Sequence, residues 1–470
     1  METVTSQNLR FFHARRIFFD IMLLGVIVMP LQKNLLKLTW PIYIELLFFL
    51  LMGISDTLML SQYSDLAVAS VGNANKVLGL FTVLLNIVAI GVSVVVSQYL
   101  GAKDKENAKS ALKAGMISNA MIGLSIFLLL QLFAGILFRL IQLDASIFQD
   151  TLTYIRIVSI GLLFLSITQA MSSGFKSHGQ TKTIMYIVGF TNFVNVLGNY
   201  VLIFGVGFFP ELGVTGAALS TLFSRFLSMS IAMVVLHKKL DINPLKIRLK
   251  PVLNHFQKIM KIGIPSALEQ FVYQITQIIL LTFMNMIGVI AVTAQVYVFN
   301  LMMPILVFSV AIAQGNQVIV GYHVGAKDFE DAYKRALKTL KMSIGVVLAI
   351  AFTMYLYAEP LLGIFTDNEE IIRMGQSVMV VVIFLEAGRL LNLVLIQSLR
   401  AAGDVVFPVI IAVFSMLGVS VGVSYLLGIH LGFGLVGIFI GLALDELTRG
   451  SIVLVRWIKG NWKYKTLVHE

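Results

Sequence analysis

The chain has no cysteine and little charge. With no cysteine among its 470 residues, disulfide frameworks, thiolate nucleophiles and cysteine-ligated metal sites are excluded. Charged residues make up 13% of the chain and hydrophobic residues 58%, whereas a soluble domain has roughly 25% charged residues. A chain of this composition is too apolar to fold in water, and it is long enough for about 12 membrane spans of ~20 residues each.

The signatures of enzymes are missing as well. There is no Gly-rich phosphate loop followed by Lys and Ser or Thr, so no ATPase site is indicated. The apolar segments contain no Gly-x-Ser-x-Gly elbow and no His–acid motif, and the seven histidines lack metal-ligand spacing. We therefore expect a protein that is not an enzyme and has no cofactor and no resident metal. Any active transport would draw its energy from an ion gradient.

The hydropathy of the chain predicts twelve spans, all of them helical, because lipid offers no partner to an unpaired backbone group. A further apolar stretch at 17–31 is short for a span and carries Asp20. We expect an interfacial or capping helix there, with a half-inserted segment as the alternative. The predicted spans lie near 38–60, 77–100, 113–138, 152–174, 183–208, 213–236, 263–286, 295–321, 339–363, 374–398, 405–428 and 433–455.

The basic residues predict the orientation of these spans. A net charge of +11 would suggest nucleic-acid binding in a soluble protein, but cytoplasmic loops of membrane proteins carry an excess of Lys and Arg. With a cytoplasmic N-terminus, 28 of the 35 Lys and Arg fall on the cytoplasmic side and three on the outer side. This bias predicts a multi-pass protein of the cell membrane with both termini in the cytoplasm. We expect membrane lipids as partners and no nucleic acid, and we see no cleavable signal.

The chain also repeats itself at one fixed offset in sequence, the separation of Pro41 from Pro265, here called the repeat offset. Six predicted spans separate the two repeats, so both halves enter the membrane in the same direction, as parallel repeats of transporters do. Five matches keep this register: Pro41 with Pro265, Glu45 with Glu269, 101–104 with 325–328, Lys176 and Gly179 with Arg400 and Gly403, and Arg225 with Arg449.

The repeat and the charge pattern together predict the domain organisation. The basic segment between the halves is expected to be a cytoplasmic connector, with binding to anionic lipid headgroups as the alternative. The predicted parts are a cytoplasmic or interfacial N-terminal segment at 1–37, an amino-terminal six-helix lobe at 38–236, a basic cytoplasmic linker at 237–262, a carboxy-terminal six-helix lobe at 263–458 and a cytoplasmic tail at 459–470.

Acidic residues inside the predicted spans are the first candidates for a functional site. An ionised side chain near the bilayer centre costs about 2.5–3.5 kcal/mol on insertion scales, so it usually marks a pathway or a pair. Glu45 and Asp56 share the first span, where eleven residues leave them only ~20° apart around the helix and ~16 Å apart along it. We expect Asp56 to be a functional ionisable site, with a hydrogen-bonded structural carboxylate as the alternative. The acids within spans are Glu45, Asp56, Glu269, Glu386, Asp445 and Glu446.

Glu45 and Glu269 are more ambiguous than Asp56. Both lie within the first turns of their predicted helices, where a carboxylate can simply favour the helix N-terminus. In the carboxy-terminal half, Glu386 lies three residues before Arg389, and Asp445 lies four residues before Arg449. These spacings favour structural pairs on one helix face, although Glu386 is retained as a candidate site because it lies in the middle of its span.

The fifth span carries three asparagines at i, i+3 and i+7, namely Asn192, Asn195 and Asn199. This spacing puts them on one helix face. Amide oxygens beside a carboxylate suit a hard cation such as Na⁺ or a proton site. Interhelical hydrogen bonding, which is common in membrane bundles, is the equal alternative.

Several ordered motifs together resemble the multidrug and toxic compound extrusion (MATE) family of ion-coupled drug antiporters. The resemblance covers roughly residues 35–458. Its carriers are Pro41 followed by Asp56-Thr57, Ser97-Gln-Tyr-Leu-Gly-Ala102, Asn195-Val-Leu-Gly-Asn199, Gly213-Val-Thr-Gly-Ala-Ala218 and Leu399-Arg-Ala-Ala-Gly-Asp404.

The resemblance implies an all-α integral membrane protein with twelve transmembrane helices in two pseudo-symmetric six-helix lobes around a central cavity. It implies export of organic, often cationic, compounds in exchange for H⁺ or Na⁺, and we expect a monomer with small organic substrates. The cation-coupling residues of the family fall on Asp56, Asn195 and Thr221. Many members have an aspartate where this chain has Asn199, so Asn199 joins the coupling site as an amide.

The resemblance also marks candidates for the substrate cavity or gate. Members with a carboxy-lobe Na⁺ site carry a seventh-span glutamate one turn deeper than Glu269, where Tyr273 stands here. Glu386 likewise lies about a turn before the tenth-span acid of those members. We therefore expect coupling through the amino lobe and place Glu45, Glu269, Glu386 and Tyr273 at the cavity or gate.

Three alternative functions remain open at this stage. A flippase for lipid-linked saccharides, or for another lipid substrate, would need a basic cavity, yet six acids outnumber four arginines in or beside the spans. A membrane-embedded enzyme would need a convergent catalytic set, which the sequence lacks. A passive channel or a structural protein is disfavoured by two lobes with buried carboxylates, and flux measurements would decide this point.

Overall fold

The computed structural model describes residues 33–243 and 249–468, and the apolar stretch at 17–31 lies outside these residues. The described residues are helical, with short connections and no strand among them. The helices of the first half are α1 Lys33–Tyr63, α2 Asp65–Gly101, α3 Lys105–Leu140, α4 Ala145–Ser177, α5 Thr181–Phe204 and α6 Gly213–Leu240.

The second half continues with the same number of long helices. A short helix at Ala358–Leu362 precedes α10, and α11 contains two π-helical stretches, Ser415–Val421 and Ser424–His430. The long helices are α7 Leu249–Ile287, α8 Val289–Gly325, α9 Phe329–Leu356, α10 Glu369–Ala401, α11 Val406–His430 and α12 Gly434–Lys459. The twelve-helix fold predicted from hydropathy is thus confirmed, and most helices extend beyond their predicted spans.

Eleven of the described helices are long and apolar enough to cross a membrane. The twelfth, α12, falls outside that group, and it carries Asp445, Glu446 and Arg449 near its middle. All three side chains are buried within the protein. Charge in a spanning helix is tolerated where it faces the bundle interior and finds partners, so α12 is a spanning helix with a charged inner face.

The described chain divides into two compact units at equivalent places in α1 and α7. Residues 44–267 form the first unit, here called the amino lobe. α1 up to Tyr43 joins the residues from Leu268 onward in the second unit, the carboxy lobe. The dividing points, after Tyr43 and after Ala267, are themselves separated by the repeat offset. The segment predicted as a linker therefore contains the first turns of α7, which pack in the amino lobe.

Each lobe receives the beginning of a helix from the other half of the sequence. In the amino lobe, the start of α7 approaches α2 so closely that a Cβ at Gly91 would lie 2.4 Å from the carbonyl oxygen of Ile259. In the carboxy lobe, the start of α1 approaches α8, and a Cβ at Gly315 would lie 2.7 Å from Oγ1 of Thr39. Gly91 and Gly315 are also separated by the repeat offset, so the two helix starts are received at equivalent positions.

The backbone follows the repeat in detail. Lys103 and Lys327 both adopt a positive φ, 62° and 61° respectively. The next residue in each case caps the following helix, because Asp104 accepts a hydrogen bond from the backbone N–H of Asn107 and Asp328 from that of Asp331. Side chains that accept these otherwise unpaired N–H groups stabilise helix starts. The sequence match at 101–104 and 325–328 is therefore a repeated turn-and-cap structure.

One helix is central to each lobe. In the amino lobe α4 packs against α2, α3 and α6, and in the carboxy lobe α10 packs against α8, α9 and α12. Residues buried around α4 include Leu85, Leu130 and Ile155. The carboxy lobe buries a stacked pair of indoles, Trp457 and Trp462, with ring centroids 4.1 Å apart. The helices that carry the acidic residues are thus held by two separate apolar cores.

Candidate functional site

The centre of the candidate site is a hydrogen bond between α1 and α5. The side-chain amide of Asn199 donates to Oδ1 of Asp56 at 2.6 Å. Asn199 is fully buried, and Asp56 is partly exposed. The structure therefore brings together two predicted coupling residues that lie far apart in the sequence.

The whole asparagine stripe of α5 faces neighbouring helices. Asn192 donates to the backbone carbonyl of Phe48 in α1 at 2.9 Å, and Asn195 donates to Oγ of Ser220 in α6 at 3.3 Å. The stripe makes interhelical hydrogen bonds, as one of the two alternatives predicted. These bonds use the NH₂ groups and not the amide oxygens.

Two amide oxygens of the asparagine stripe lack a partner. Oδ1 of Asn195 and Oδ1 of Asn199 are both buried and accept no hydrogen bond from a described residue. A buried acceptor without a donor costs about 1–3 kcal/mol, so such groups in a folded protein call for an explanation. A cation beside Asp56 would supply the missing interaction, because carboxylate and amide oxygens are ligands for hard cations.

Helices α4 and α6 complete the surroundings of Asp56. Tyr154 of α4 is buried and within hydrogen-bonding reach of Thr221 in α6 and of Asn75 in α2. Arg225 of α6 interacts electrostatically with both Asp56 and Tyr154, and its Nη1 donates to the carbonyl of Val158 at 3.4 Å. Thr221 is thus close to the site as predicted from the resemblance, whereas Tyr154 was not anticipated.

Glu45 lies in an ion pair rather than alone. Its Oε2 lies 3.0 Å from Nζ of Lys176 at the end of α4, and its Oε1 accepts a hydrogen bond from Ser172 at 3.3 Å. The Glu45 side chain is 4% exposed and that of Lys176 is 15% exposed. The Glu45 carboxylate therefore has a largely buried cation as its partner, so the dipole of its own helix is not the only positive charge that it meets.

Glu269 has the same arrangement in the carboxy lobe. Nη2 of Arg400, in the last turn of α10, lies 2.7 Å from Oε2 of Glu269. Both side chains are largely buried, at 10% and 13% exposure. Glu45 and Glu269, and likewise Lys176 and Arg400, are separated by the repeat offset. The repeat identified in the sequence therefore contains two equivalent ion pairs. The sequence matches included all four residues, but the pairing between them was not predicted.

A larger network of charges lies between α10, α11 and α12 of the carboxy lobe. Arg389 pairs with Glu386, and Nη2 of Arg449 lies 2.8 Å from Oδ2 of Asp445. Both pairs expected from the i, i+3 and i, i+4 spacings thus form. Glu446 links the two pairs, and Asp445 is further held by Ser415, Oγ to Oδ1, at 2.6 Å.

The remaining candidates for the cavity or gate lie in or beside this network of charges. Glu386 is completely buried and pairs with Arg389. Tyr273 of α7 is packed beside Val272 and Met416 and interacts electrostatically with Arg389. Glu386 and Tyr273 therefore contribute to the interior of the carboxy lobe, and their assignment to a substrate cavity or gate stays a prediction.

A cluster of possible metal ligands occurs at the start of α9, outside the spans. Ligand atoms of His323, Asp328 and Asp331 lie within 4.8 Å of one another. The pKa of Asp328 is lowered mainly by the hydrogen bond from the backbone N–H of Asp331, and to a smaller extent by the neighbouring His323. The same capping geometry at Asp104 in the other half of the chain indicates that this cluster is a helix cap.

Comparisons with known proteins agree with this arrangement. Residues 41–201 and 265–426 match the family model MatE, so the model matches twice at the spacing of the repeat. The uncharacterized transporter YisQ of Bacillus subtilis is 39% identical over 437 residues, which cover 92% of this chain and 95% of the relative. The probable multidrug resistance protein NorM of Thermotoga maritima is 26% identical and covers 94% of this chain and 95% of its own length.

Solved structures show the same fold. A variant of the Vibrio cholerae MATE transporter VcmN superposes with a TM-score of 0.85 at 18% identity, over 96% of this chain and all of the other. Twelve long helices in two repeated halves, eleven of them apolar enough to cross a membrane, define a multi-pass membrane transporter together with the family match. The chain belongs to the MATE family, as its motifs indicated.

Proposed function

We propose that this protein is a cation-coupled antiporter that exports organic compounds across the cell membrane, with H⁺ or Na⁺ as the coupling ion. The expected substrates are cationic or amphipathic small molecules. The NorM and YoeA relatives are named probable multidrug resistance proteins, which supports this substrate class. The proposal keeps both termini in the cytoplasm, as the distribution of basic residues predicts.

The observation that carries the proposal is the hydrogen bond from Asn199 to Asp56, with an unpartnered amide oxygen on Asn199 and another on Asn195, one turn away along α5. These atoms offer a carboxylate and two neutral oxygens in the interior of one lobe, with Thr221 close by. A proton would neutralise Asp56 directly, whereas Na⁺ would draw on the amide oxygens of Asn195 and Asn199 as well. Either ion would relieve the cost of a buried, incompletely satisfied site.

Coupling follows if the ion and the substrate favour different conformations. An ion at Asp56 changes the charge on α1, and with it the hydrogen bond that joins α1 to α5. A ligand shifts a conformational equilibrium only by its difference in affinity for the two states. The ion is therefore expected to favour the state that has released substrate outward, and the substrate to favour the state that has released the ion inward.

The decisive experiment measures export of a fluorescent organic cation in proteoliposomes under separately imposed Na⁺ and pH gradients. Transport driven by one gradient identifies the ion, and transport that needs neither argues against antiport. Flipping of a lipid-linked saccharide, measured in the same vesicles, would replace the drug as substrate if only that activity appears.

The matched variant is Asp56→Asn, which keeps the size of the side chain and removes its charge. Ion-driven export should fall to the level of empty vesicles, while expression stays normal. Asp65→Asn serves as the control, because Asp65 is an exposed carboxylate in the first turn of α2. Unchanged export by Asp56→Asn would refute the proposed coupling site.

A further inference from the structure

Two equivalent ion pairs stand just beyond the points where α1 and α7 pass from one lobe to the other. The amino lobe begins at Ile44 and the Glu45–Lys176 pair follows at once. The part of α7 that belongs to the carboxy lobe begins at Leu268, and the Glu269–Arg400 pair follows in the same way. Each acid and its cation lie in the same lobe. The pairs therefore fasten the first turn of each helix segment to the lobe that the segment enters.

The cations come from the central helices of the two lobes. Lys176 lies in the last turn of α4, and Arg400 lies in the last turn of α10. A cation at a helix C-terminus is already favoured by the helix dipole, and α4 and α10 make the most extensive packing contacts of their lobes. Each acid therefore binds a cation that is carried by the central helix of its lobe.

In the amino lobe this ion pair is the first of three attachments along one face of α1. The side chain of Glu45 binds Lys176, the carbonyl of Phe48 accepts from Asn192, and Asp56 accepts from Asn199. Positions 45, 48 and 56 fall on the same side of a helix with 3.6 residues per turn. Only the ion pair recurs in α7, since the residues equivalent to Asn192 and Asn199 are Met416 and Val423.

We propose that Lys176 and Arg400 are positioning residues that act through Glu45 and Glu269, and that Lys176 in addition aligns α1 so that Asp56 meets Asn199. This second part rests on the proposed coupling role of Asp56. Lys176 and Arg400 occupy equivalent positions, but removing them should have different effects. The reason is that α1 carries the proposed coupling carboxylate, whereas α7 carries Leu280 at the equivalent position.

The first test separates ion affinity from transport rate in proteoliposomes. In Lys176→Met, the half-saturating concentration of the coupling ion should shift by about three- to tenfold, because the helix that carries Asp56 loses its alignment. In Arg400→Met, the maximal rate should fall while the half-saturating concentration stays within about twofold of wild type. Lys176→Arg and Arg400→Lys should restore most of the wild-type behaviour, since they keep the positive charge.

The second test does not depend on transport. Because the chain has no cysteine, single nitroxide labels can be attached at Leu58→Cys on α1 and at Thr282→Cys on α7, which are equivalent, exposed positions. Lys176→Met should increase the mobility of the label on α1 and leave the label on α7 unchanged in its EPR spectrum. Arg400→Met should give the reverse pattern. Lys182→Met, at an exposed lysine in the first turn of α5, is the control and should change neither.

The outcomes distinguish the two proposals. Equal responses of both labels to either variant, or no response at all, would overturn the positioning role, because general destabilisation or irrelevance would then suffice. A crossed EPR pattern with no change in ion affinity would confirm the fastening of the helices and refute the alignment of Asp56. Wild-type protein without ion-driven export would refute the proposed function, and the EPR pattern would still decide the positioning role.

Discussion

At the scale of single residues, the amide nitrogens of the candidate site have hydrogen-bond partners and the amide oxygens do not. Asn199 uses its NH₂ group to bind Asp56, and its carbonyl oxygen is left without a donor among the described residues of the lobe interior. Asn195 does the same toward Ser220. Asn199 therefore restrains the carboxylate and also carries an oxygen that has no donor in the described part of the chain.

This view predicts the effect of removing one amide. Asn199→Leu keeps the branched shape of the side chain but leaves Asp56 without its donor, and ion-driven export should fall about ten- to a hundredfold, given the ~1.5–3 kcal/mol of a hydrogen bond to a charged group. The control is Asn73→Leu, because Asn73 donates a solvent-exposed hydrogen bond to the carbonyl of Ala69 in its own helix. Wild-type export by Asn199→Leu, measured in the same vesicles, would show that the bond has no part in coupling.

At the scale of elements, close packing of helices depends on glycines at equivalent positions. Gly91 receives the start of α7, and Gly315 receives the start of α1. The nearest obstacle to a Cβ differs between the two. At Gly91 it is a backbone carbonyl, which moves only with its helix, whereas at Gly315 it is the hydroxyl of Thr39. The two substitutions are therefore expected to differ in cost and in how they can be repaired.

Gly91→Ala should lower the apparent melting temperature of the purified transporter clearly, since forcing extra atoms into a packed interior costs typically about 1–3 kcal/mol. Gly315→Ala should have a smaller effect, and Thr39→Ala should suppress it by removing the hydroxyl. The control is Gly79→Ala in α2, where a Cβ would meet nothing within 4 Å. A Gly91 variant as stable as this control would contradict the close approach of α7.

The sequence predicted the individual helices better than it predicted which helices pack together. Hydropathy and charge were enough for twelve helices, and spacing was enough for the Glu386–Arg389 and Asp445–Arg449 pairs, because these depend on one helix only. The Glu45–Lys176 pair joins α1 to α4, with two whole helices between them in the sequence, so it depends on which helices pack together. The exchange of helix starts was invisible for the same reason, since a hydropathy profile gives the limits of a span and not its neighbours.

At the scale of the whole molecule, neither half of the sequence contains a complete lobe. The amino lobe needs the start of α7, where Ile259 and Ile262 are fully buried, and the carboxy lobe needs the start of α1, where Leu35 is buried. A cut in the connection between α6 and α7 would therefore leave each fragment without a helix segment that packs in its lobe. The two halves should depend on each other for their cores.

Fragments 1–246 and 247–470 should each accumulate poorly in membranes when expressed alone, and together they should restore export. The loss of buried apolar side chains is the reason, since each fully buried aliphatic side chain contributes about 1.5–3 kcal/mol. Fragment 1–267 keeps Ile259 and Gly263 and should accumulate better than fragment 1–246. Equal accumulation of these two amino-terminal fragments, measured by immunoblot, would contradict the expectation.

The reciprocal exchange of helix starts also bears on how such a chain arises. Two identical six-helix subunits that each lend their first turns to the other would form a domain-swapped homodimer, a low-cost route to association. Joining the two genes end to end would preserve every contact of that dimer, including both glutamate–cation pairs. Once joined, such copies would be free to diverge, and Asn195 and Asn199 have no polar counterpart, since Val419 and Val423 stand at the equivalent positions. A symmetric ancestor with two equivalent halves would thus have become a single chain whose two halves differ.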